Sequence, residues 1–337
     1  MPLPTRILGK SGIEVSALGF GSAPLGERFA RLDEATAVGA ITTAIARGVT
    51  LIDTSPLYGF GLAEHRIGTA LRHAGRPKLV LSTKIGRVMD PRRHRESGPD
   101  YAGGLPHTAS FDYSYDGALR SLDQSLLRLG VSSVDIVLIH DVDVWTHGAE
   151  RIEARFAEAM NGAYRALDRL RGEKVIRAVG IGVNEADMSE RFARAGDFDV
   201  MLLAGRYTLL EQPALASFLP LAQEKRIGLM LGGVFNSGIL ATGAIPEARY
   251  NYRPAPPQVL DKVRRIAAVC TAHAVPLHRA ALQFPLAHPA VSTLVLGAVK
   301  PAEVETQVAD LSTPVPPALW RDLKSEGLIE AHVPTPA

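Results

Sequence analysis

Four residues of this chain have side chains that together suit a single proton transfer: Asp53, Tyr58, Lys84 and His140. Asp53 closes the run LeuIleAsp (51–53), and Tyr58 follows five residues later. Lys84 ends LeuSerThrLys (81–84), and His140 ends ValLeuIleHis (137–140). A tyrosine hydroxyl titrates near pH ~10, too high for efficient proton transfer at neutrality. A neighbouring ammonium would stabilise the phenolate and lower that value, and an aspartate would keep the ammonium charged and in place. A neutral histidine would hydrogen-bond the reacting oxygen and orient it. Such a set needs no metal and suits carbonyl–alcohol interconversion with an organic hydride carrier. Taken singly, each residue has a structural reading, such as a turn cap or an exposed strand end. All four at the ends of consecutive predicted strands point instead to one shared site.

The elements that must position them are predicted from the apolar pattern. Runs at 16–21, 49–53, 79–83, 134–140, 178–183, 200–203, 228–231 and 292–296 are near-continuously apolar, as expected for parallel strands buried on both faces. Helical spacing is predicted at 34–47, after Asp33 as N-cap, and at 63–72, 115–129, 152–171, 213–225 and 256–274. Eight strands alternating with helices imply an α/β fold, a (β/α)8 barrel of the TIM type. In such a barrel, polar residues at C-terminal strand ends converge on one face. Residues 5–16 read as a β-hairpin covering the barrel's bottom, with its turn at 9–12. The stretch 86–112 is a long loop after the third strand, on the side where barrels place their chemistry. No composition break divides residues 1–337, so a single domain is expected, with a frayed tail from 332.

Composition narrows the function further. The chain has 337 residues, 46% of them hydrophobic, and 37 Lys+Arg against 35 Asp+Glu leave a formal charge of +2. That balance gives no electrostatic case for a nucleic-acid or membrane-surface partner. Cys270 is the only cysteine, which excludes an intrachain disulfide and a cysteine-based zinc cage. It is expected in the core. No signal-peptide pattern or 18-residue apolar run occurs, so a cytoplasmic protein is expected. Gly19-Phe20-Gly21 and Gly180-Ile181-Gly182 both lack the third glycine of a Rossmann fingerprint. Gly9-Lys10-Ser11 lacks the leading glycine of a P-loop. The ten histidines form no HExxH, and His65, His94, His107 and His147 are expected to face solvent rather than a metal.

At these residues the chain resembles the aldo-keto reductase superfamily over nearly its whole length. AspThrSerProLeuTyrGly (53–59), GlyLeuAlaGluHisArgIleGly (61–68), SerThrLys (82–84) and LeuIleHis (138–140) are similar to its catalytic segments. ArgIleLeuGlyLysSerGlyIleGluValSer (6–16) is similar to its N-terminal hairpin. The resemblance implies Tyr58 as general acid/base, Lys84 and Asp53 tuning it, His140 orienting the substrate oxygen, and NAD or NADP held without a Rossmann fold. It implies cofactor contacts from Gly21, Asp53 and Asn184, and from Phe235, Asn236, Ser237, Gly238 and Leu240 in a loop around the pyrophosphate. Gly297, Val299, Glu303 and Gln307 lie in a segment resembling the adenosine site. Three positions depart from the pattern: Asn184 stands one residue from the usual Ser-Asn, Ala204 replaces a common glutamine, and Gly232 replaces an aromatic stacking residue. Val299 and Glu303 stand where NADP-preferring relatives often carry Arg and Gln. A carboxylate repels a 2′-phosphate and accepts from a free ribose hydroxyl, so NAD is the expected preference, with the Lys300 ammonium as a counterweight.

The motifs at 23–26, 111–130, 140–143 and 203–210 resemble bacterial sugar-oxidising members of the L-fucose or D-threo-aldose 1-dehydrogenase type, and equally pyridoxal 4-dehydrogenases. The expected substrate is a sugar or other small carbonyl compound, held at Tyr58 and His140. Trp145 would be either an apolar wall for it or packing for the 86–112 loop. Competing readings are a Schiff-base aldolase built on Lys84 and a cofactor-binding regulatory module with little turnover.

Overall fold

In the computed structural model, which describes residues 2–75, 77–94 and 101–337, eight parallel strands close into a barrel. They are β1 (Leu18–Gly21), β2 (Leu51–Asp53), β3 (Val80–Ile85), β4 (Ile136–His140), β5 (Ala178–Val183), β6 (Val200–Ala204), β7 (Gly228–Gly232) and β8 (Val291–Gly297). Each pairs with its neighbours in chain order, and β8 returns to β1. Both faces are covered, by helices outside and by side chains inside, so β4 and β5 are buried at every residue. The inward residues Leu51, Val80, Ile136, Leu138, Val200, Leu202, Met230 and Val295 form one cluster.

That cluster includes Leu8, Ile13 and Val15 of the N-terminal hairpin, whose strands Thr5–Ile7 and Glu14–Ser16 pair antiparallel. The hairpin therefore plugs the barrel's lower end. Its turn is pinned by Lys10 N–H donating to Arg226 C=O at 2.8 Å. Gly228 must be glycine there, because a Cβ would lie 2.5 Å from the Leu8 carbonyl carbon. The strand expected at 16–21 thus breaks at Ala17: Ser16 belongs to the plug and Leu18 opens the barrel.

Several helices follow the sequence pattern closely. Tyr115–Leu129 is a single helix, and in Glu34–Ala46 the Asp33 carboxylate accepts the Thr36 N–H at 2.8 Å, as an N-cap does. The helical stretch from Ile152 to Gly172 contains a π turn at Ala159–Tyr164. Its cause is local: Ala163 N–H bonds Tyr113 C=O at 2.8 Å, and a Cβ on Gly162 would meet that same oxygen at 2.5 Å. Helices Ala186–Ala195, Leu277–Gln283, Pro301–Ser312 and Pro317–Ser325 add to those expected from the apolar spacing. Leu277–Gln283 is hemmed between Pro276 and Pro285 and is too short to show periodicity.

The stretch 86–112 is an antiparallel ribbon rather than a loop, with Arg87–His94 pairing His107–Phe111. Residues 95–100 of it lie outside the described residues. Gln124 holds the ribbon to its helix by bonding both Met89 N–H and Met89 C=O. In the tail expected to fray, Val333 is buried. Cys270 is a buried thiol pushed up to about 11 by burial. Among the described residues, no helix is long and apolar enough to cross a membrane.

Candidate active site

Strand register explains how the first pair meets. Asp53, the last residue of β2, lies level with Ser82 of β3, and alternation along β3 turns Ser82 and Lys84 to the same inner face. The Asp53 carboxylate accepts from Ser82 Oγ at 2.8 Å and from Lys84 Nζ at 2.5 Å. Lys84 Nζ also donates to Thr54 C=O at 2.7 Å. Both members of the ion pair are 1% exposed. Burial raises the Asp53 carboxyl above its ordinary value, against the pull of Lys84. In the GlyIleGly motif of β5, a Cβ on Gly180 would lie 2.3 Å from the Val200 carbonyl oxygen, whereas one on Gly182 would lie in ordinary contact with Lys84 Cε at 3.4 Å. Gly180 therefore serves packing between strands.

Tyr58 follows β2 on a tight turn. Gly59 (φ +64°) packs on Gly26 so closely that a Cβ would meet the Gly26 oxygen at 2.6 Å, so only glycine fits. Lys84 Nζ sits 4.9 Å from the Tyr58 ring centroid, and the His140 ring stands edge-on to it at 6.0 Å. The expected lowering of the phenol by the ammonium is corrected here. Burial, then Asp53, Asp141, Tyr101 and Tyr252, raise the Tyr58 hydroxyl well above its ordinary value. The Asp53 carboxylate, hydrogen-bonded to Lys84, is the second cause after burial. In this state Tyr58 is a neutral phenol, a proton donor.

His140 closes β4 two residues beyond Leu138, and so points inward as Leu138 does. Burial, then Arg87 and Lys84, lower its pKa well below the usual histidine range, leaving a neutral imidazole. Nδ1 lies 3.1 Å from Ser55 Oγ and 3.4 Å from Arg87 Nη1, and Nε2 lies 3.3 Å from Asp141 Oδ1. Tyr113 donates to His140 C=O at 2.8 Å and lies 3.0 Å from His147 Nε2. His147 was expected at the surface but is 3% exposed, beneath Phe111 and Tyr113. Arg87 and Asp141 lie inside segments that the sequence marks, 86–112 and 140–143, but neither is singled out there as a site residue. Arg87 lies three residues past Lys84, and Asp141 follows His140 directly.

A ring of aromatic and cationic groups surrounds these residues. Arg28 lies 4.4 Å from the Tyr252 ring and 5.8 Å from Tyr101, and Tyr101 packs edge-on against Phe60. Trp145 is 46% exposed, and its ring meets Tyr252 edge-on at 6.4 Å and Arg206 at 5.8 Å. Tyr101 and Tyr252 carry no sequence signal, because each lies in a connection with no periodic pattern.

The residues expected to hold a dinucleotide are distributed along the same rim. Gly21 and Gly297 pair at the ends of β1 and β8, Asn184 follows β5, and Phe235–Leu240 follow β7. Buried Ser22 Oγ, Thr54 Oγ1 and Asn236 Oδ1 have no hydrogen-bond partner, which suits a polar ligand there. A Cβ on Gly232 would lie in ordinary contact with the Leu202 side chain at 3.5 Å, so a small side chain could be held there. On the unpaired polar atoms the residues fit a nicotinamide dinucleotide. Some of the expected contacts are engaged within the protein. Glu303 accepts the Val299 N–H at 2.7 Å, Gln307 Nε2 donates to Gly297 C=O at 2.9 Å, and Asn184 turns its amide toward Asp143. Among the described residues no cluster of His, Cys, Asp or Glu is arranged to hold a metal.

Comparison with known proteins agrees with this geometry. The profile of the Aldo/keto reductase family matches residues 17–325. A pyridoxal 4-dehydrogenase of Microbacterium luteolum is 39% identical, over 96% of this chain and 97% of its own. A D-threo-aldose 1-dehydrogenase of a Pseudomonas species is 36% identical, over 97% of each chain. Among solved structures, a Bacillus halodurans aldo-keto reductase in its holo form superposes with a TM-score of 0.75 at 25% identity, covering 98% of both chains.

Proposed function

Because this chain belongs to the aldo/keto reductase family, we propose that it is an NAD(P)-dependent dehydrogenase that oxidises the C1 hydroxyl of a cyclic aldose to an aldonolactone. The observation that carries this reading is the buried Asp53–Lys84 pair placed against Tyr58, with neutral His140 across the ring.

A bound nicotinamide dinucleotide supplies the hydride acceptor. Tyr58 Oη exchanges a proton with the substrate oxygen, and His140 holds that oxygen by a hydrogen bond. Lys84 and Asp53 fix the electrostatics beneath the phenol. With its pKa raised, Tyr58 is protonated at neutral pH, ready for the reductive direction. Oxidation needs the phenolate, so its rate should climb with pH through the alkaline range while reduction stays level. The Glu303 charge at the start of Pro301–Ser312 supports NAD over NADP, since it would repel a 2′-phosphate. Exposed Trp145 offers an apolar face to a sugar ring.

A second reading, pyridoxal as substrate, is favoured by the 39% identical relative. An aldose and pyridoxal share a chemistry: each carries an aldehyde that an internal hydroxyl can mask as a cyclic hemiacetal, and oxidation of either hemiacetal gives a lactone. The test is initial-rate NADH and NADPH formation with L-fucose, D-arabinose, L-galactose and pyridoxal, at several pH values, on wild type and Tyr58→Phe. Sugar-dependent NADH formation that drops at least ~100-fold in Tyr58→Phe is expected. Turnover of pyridoxal alone selects the second reading. Cofactor binding without turnover of any of them overturns both.

A further inference from the structure

We propose that Arg87 is a positioning residue that fixes the tautomer of His140, holding the proton on Nε2 so that this nitrogen donates to the substrate oxygen. The proposal rests on the dehydrogenase reading above for its consequence in catalysis, but not for its geometry.

Arg87 presents two nitrogens to this corner of the site. Nη1 lies 3.4 Å from His140 Nδ1, and Nη2 lies 2.8 Å from Asp141 Oδ2. A guanidinium has donors only, so the nitrogen it faces must offer a lone pair. Nδ1 is then the acceptor and the ring proton belongs on Nε2. Ser55 Oγ, at 3.1 Å, can donate to the same lone pair. On the other edge of the ring, Nε2 lies 3.3 Å from Asp141 Oδ1, an acceptor-only oxygen within ion-pair distance but not hydrogen-bonded to it, which favours a proton on Nε2 and leaves that N–H free for the substrate oxygen. Both edges therefore favour the same tautomer.

Arg87 and Asp141 are each 8% exposed, and both are held by their surroundings. The guanidinium lies 4.5 Å from the Phe111 ring centroid, and Ser121 Oγ bonds the Arg87 carbonyl. Asp141 is fixed in a left-handed conformation (φ +55°), with its N–H on Gly182 C=O at 2.9 Å. The opposite tautomer would aim an N–H at a guanidinium and a lone pair at a carboxylate. It would also give the substrate oxygen no donor.

The test is nitrogen-15 NMR of the histidine rings, with the His140 signals assigned by their loss in His140→Gln. Wild type and Arg87→Lys, which keeps a donor, should show a protonated Nε2 and a bare Nδ1. Arg87→Met removes the donor-only neighbour of Nδ1 and leaves Ser55, whose hydroxyl can accept as well as donate. The Nδ1–H fraction should then rise, although Asp141 still favours Nε2–H, and kcat should fall by up to about 10-fold with a smaller change in KM. Should Arg87→Met fail to fold because Asp141 is left unpaired, Arg87→Met/Asp141→Asn removes both charges and is read in the same way. A wild-type ring protonated on Nδ1, or a tautomer unmoved in the folded methionine variant, overturns the proposal. Absence of turnover in wild type would count against the functional reading alone, since the spectra need no substrate.

Discussion

At the scale of single residues, the site is governed by what burial does to charge. Lys84 and Asp53 are removed from water, and each is tolerable only because the other is 2.5 Å away. Removing one partner leaves an uncompensated buried charge, at a cost of about 3–5 kcal/mol. Lys84→Met and Asp53→Asn should therefore each lower the urea midpoint strongly. The double variant Asp53→Asn/Lys84→Met should lose clearly less than the sum of the two. Additive losses would show that the pair is not energetically coupled. The same burial raises Tyr58 instead of lowering it, because the carboxylate that steadies the lysine also faces the phenol. The residue types disclose a proton-transfer set, but the direction of the shift depends on distances in space.

At the scale of elements, the plug and the rim that carries the candidate catalytic residues occupy opposite ends of one barrel. Leu8, fully buried, sits in the lower cluster with Val200, Leu202 and Met230, whereas the tetrad lies at the C-terminal strand ends. Leu8→Ala should cost about 2–5 kcal/mol by the cavity it leaves. At temperatures where that variant stays folded, kcat and KM should remain those of wild type. A large fall in kcat with stability intact would show that the plug communicates with the rim. The ribbon Arg87–His94/His107–Phe111 has the opposite place. It supplies Arg87 and Phe111 directly to the site, so changes there should appear in catalysis before stability.

For the molecule as a whole, the buried histidines set its response to acid. His140, His147 and His288 are all held below the usual histidine value, with burial as the leading cause. The folded state keeps them neutral where the unfolded chain, titrating near ~6.5, takes up protons. The unfolded state then binds more protons, so stability rises with pH in this window and is lost as pH falls below about 6.5. Each such histidine contributes up to about 1.4 kcal/mol per pH unit. Urea midpoints should drop between pH 7.5 and 5.5, and His288→Asn should make that drop shallower. An unchanged slope in that variant would assign the acid response to other groups.

The barrel, its hairpin, the four catalytic candidates and the family are all legible in local patterns along the chain. Continuous apolar runs ending in Asp53, Lys84 and His140 can be buried on both faces only in a parallel sheet, and such a sheet closed on itself gathers its strand ends. Asp33 as a cap and 115–129 as a helix are legible for the same reason, since both are local patterns. Whatever depends on approach between distant segments emerges only in three dimensions. Arg87–His94 and His107–Phe111 form a ribbon because two irregular stretches pair with each other. Arg87 and Asp141 matter because the ribbon's first strand and the residue after β4 bring them, paired with each other, against one imidazole. Gly180 clears space for the Val200 carbonyl and the Leu138 side chain, which no spacing rule contains. Local pattern fixes which faces must be buried, but the charges and contacts inside a site are set by neighbours far away in the chain.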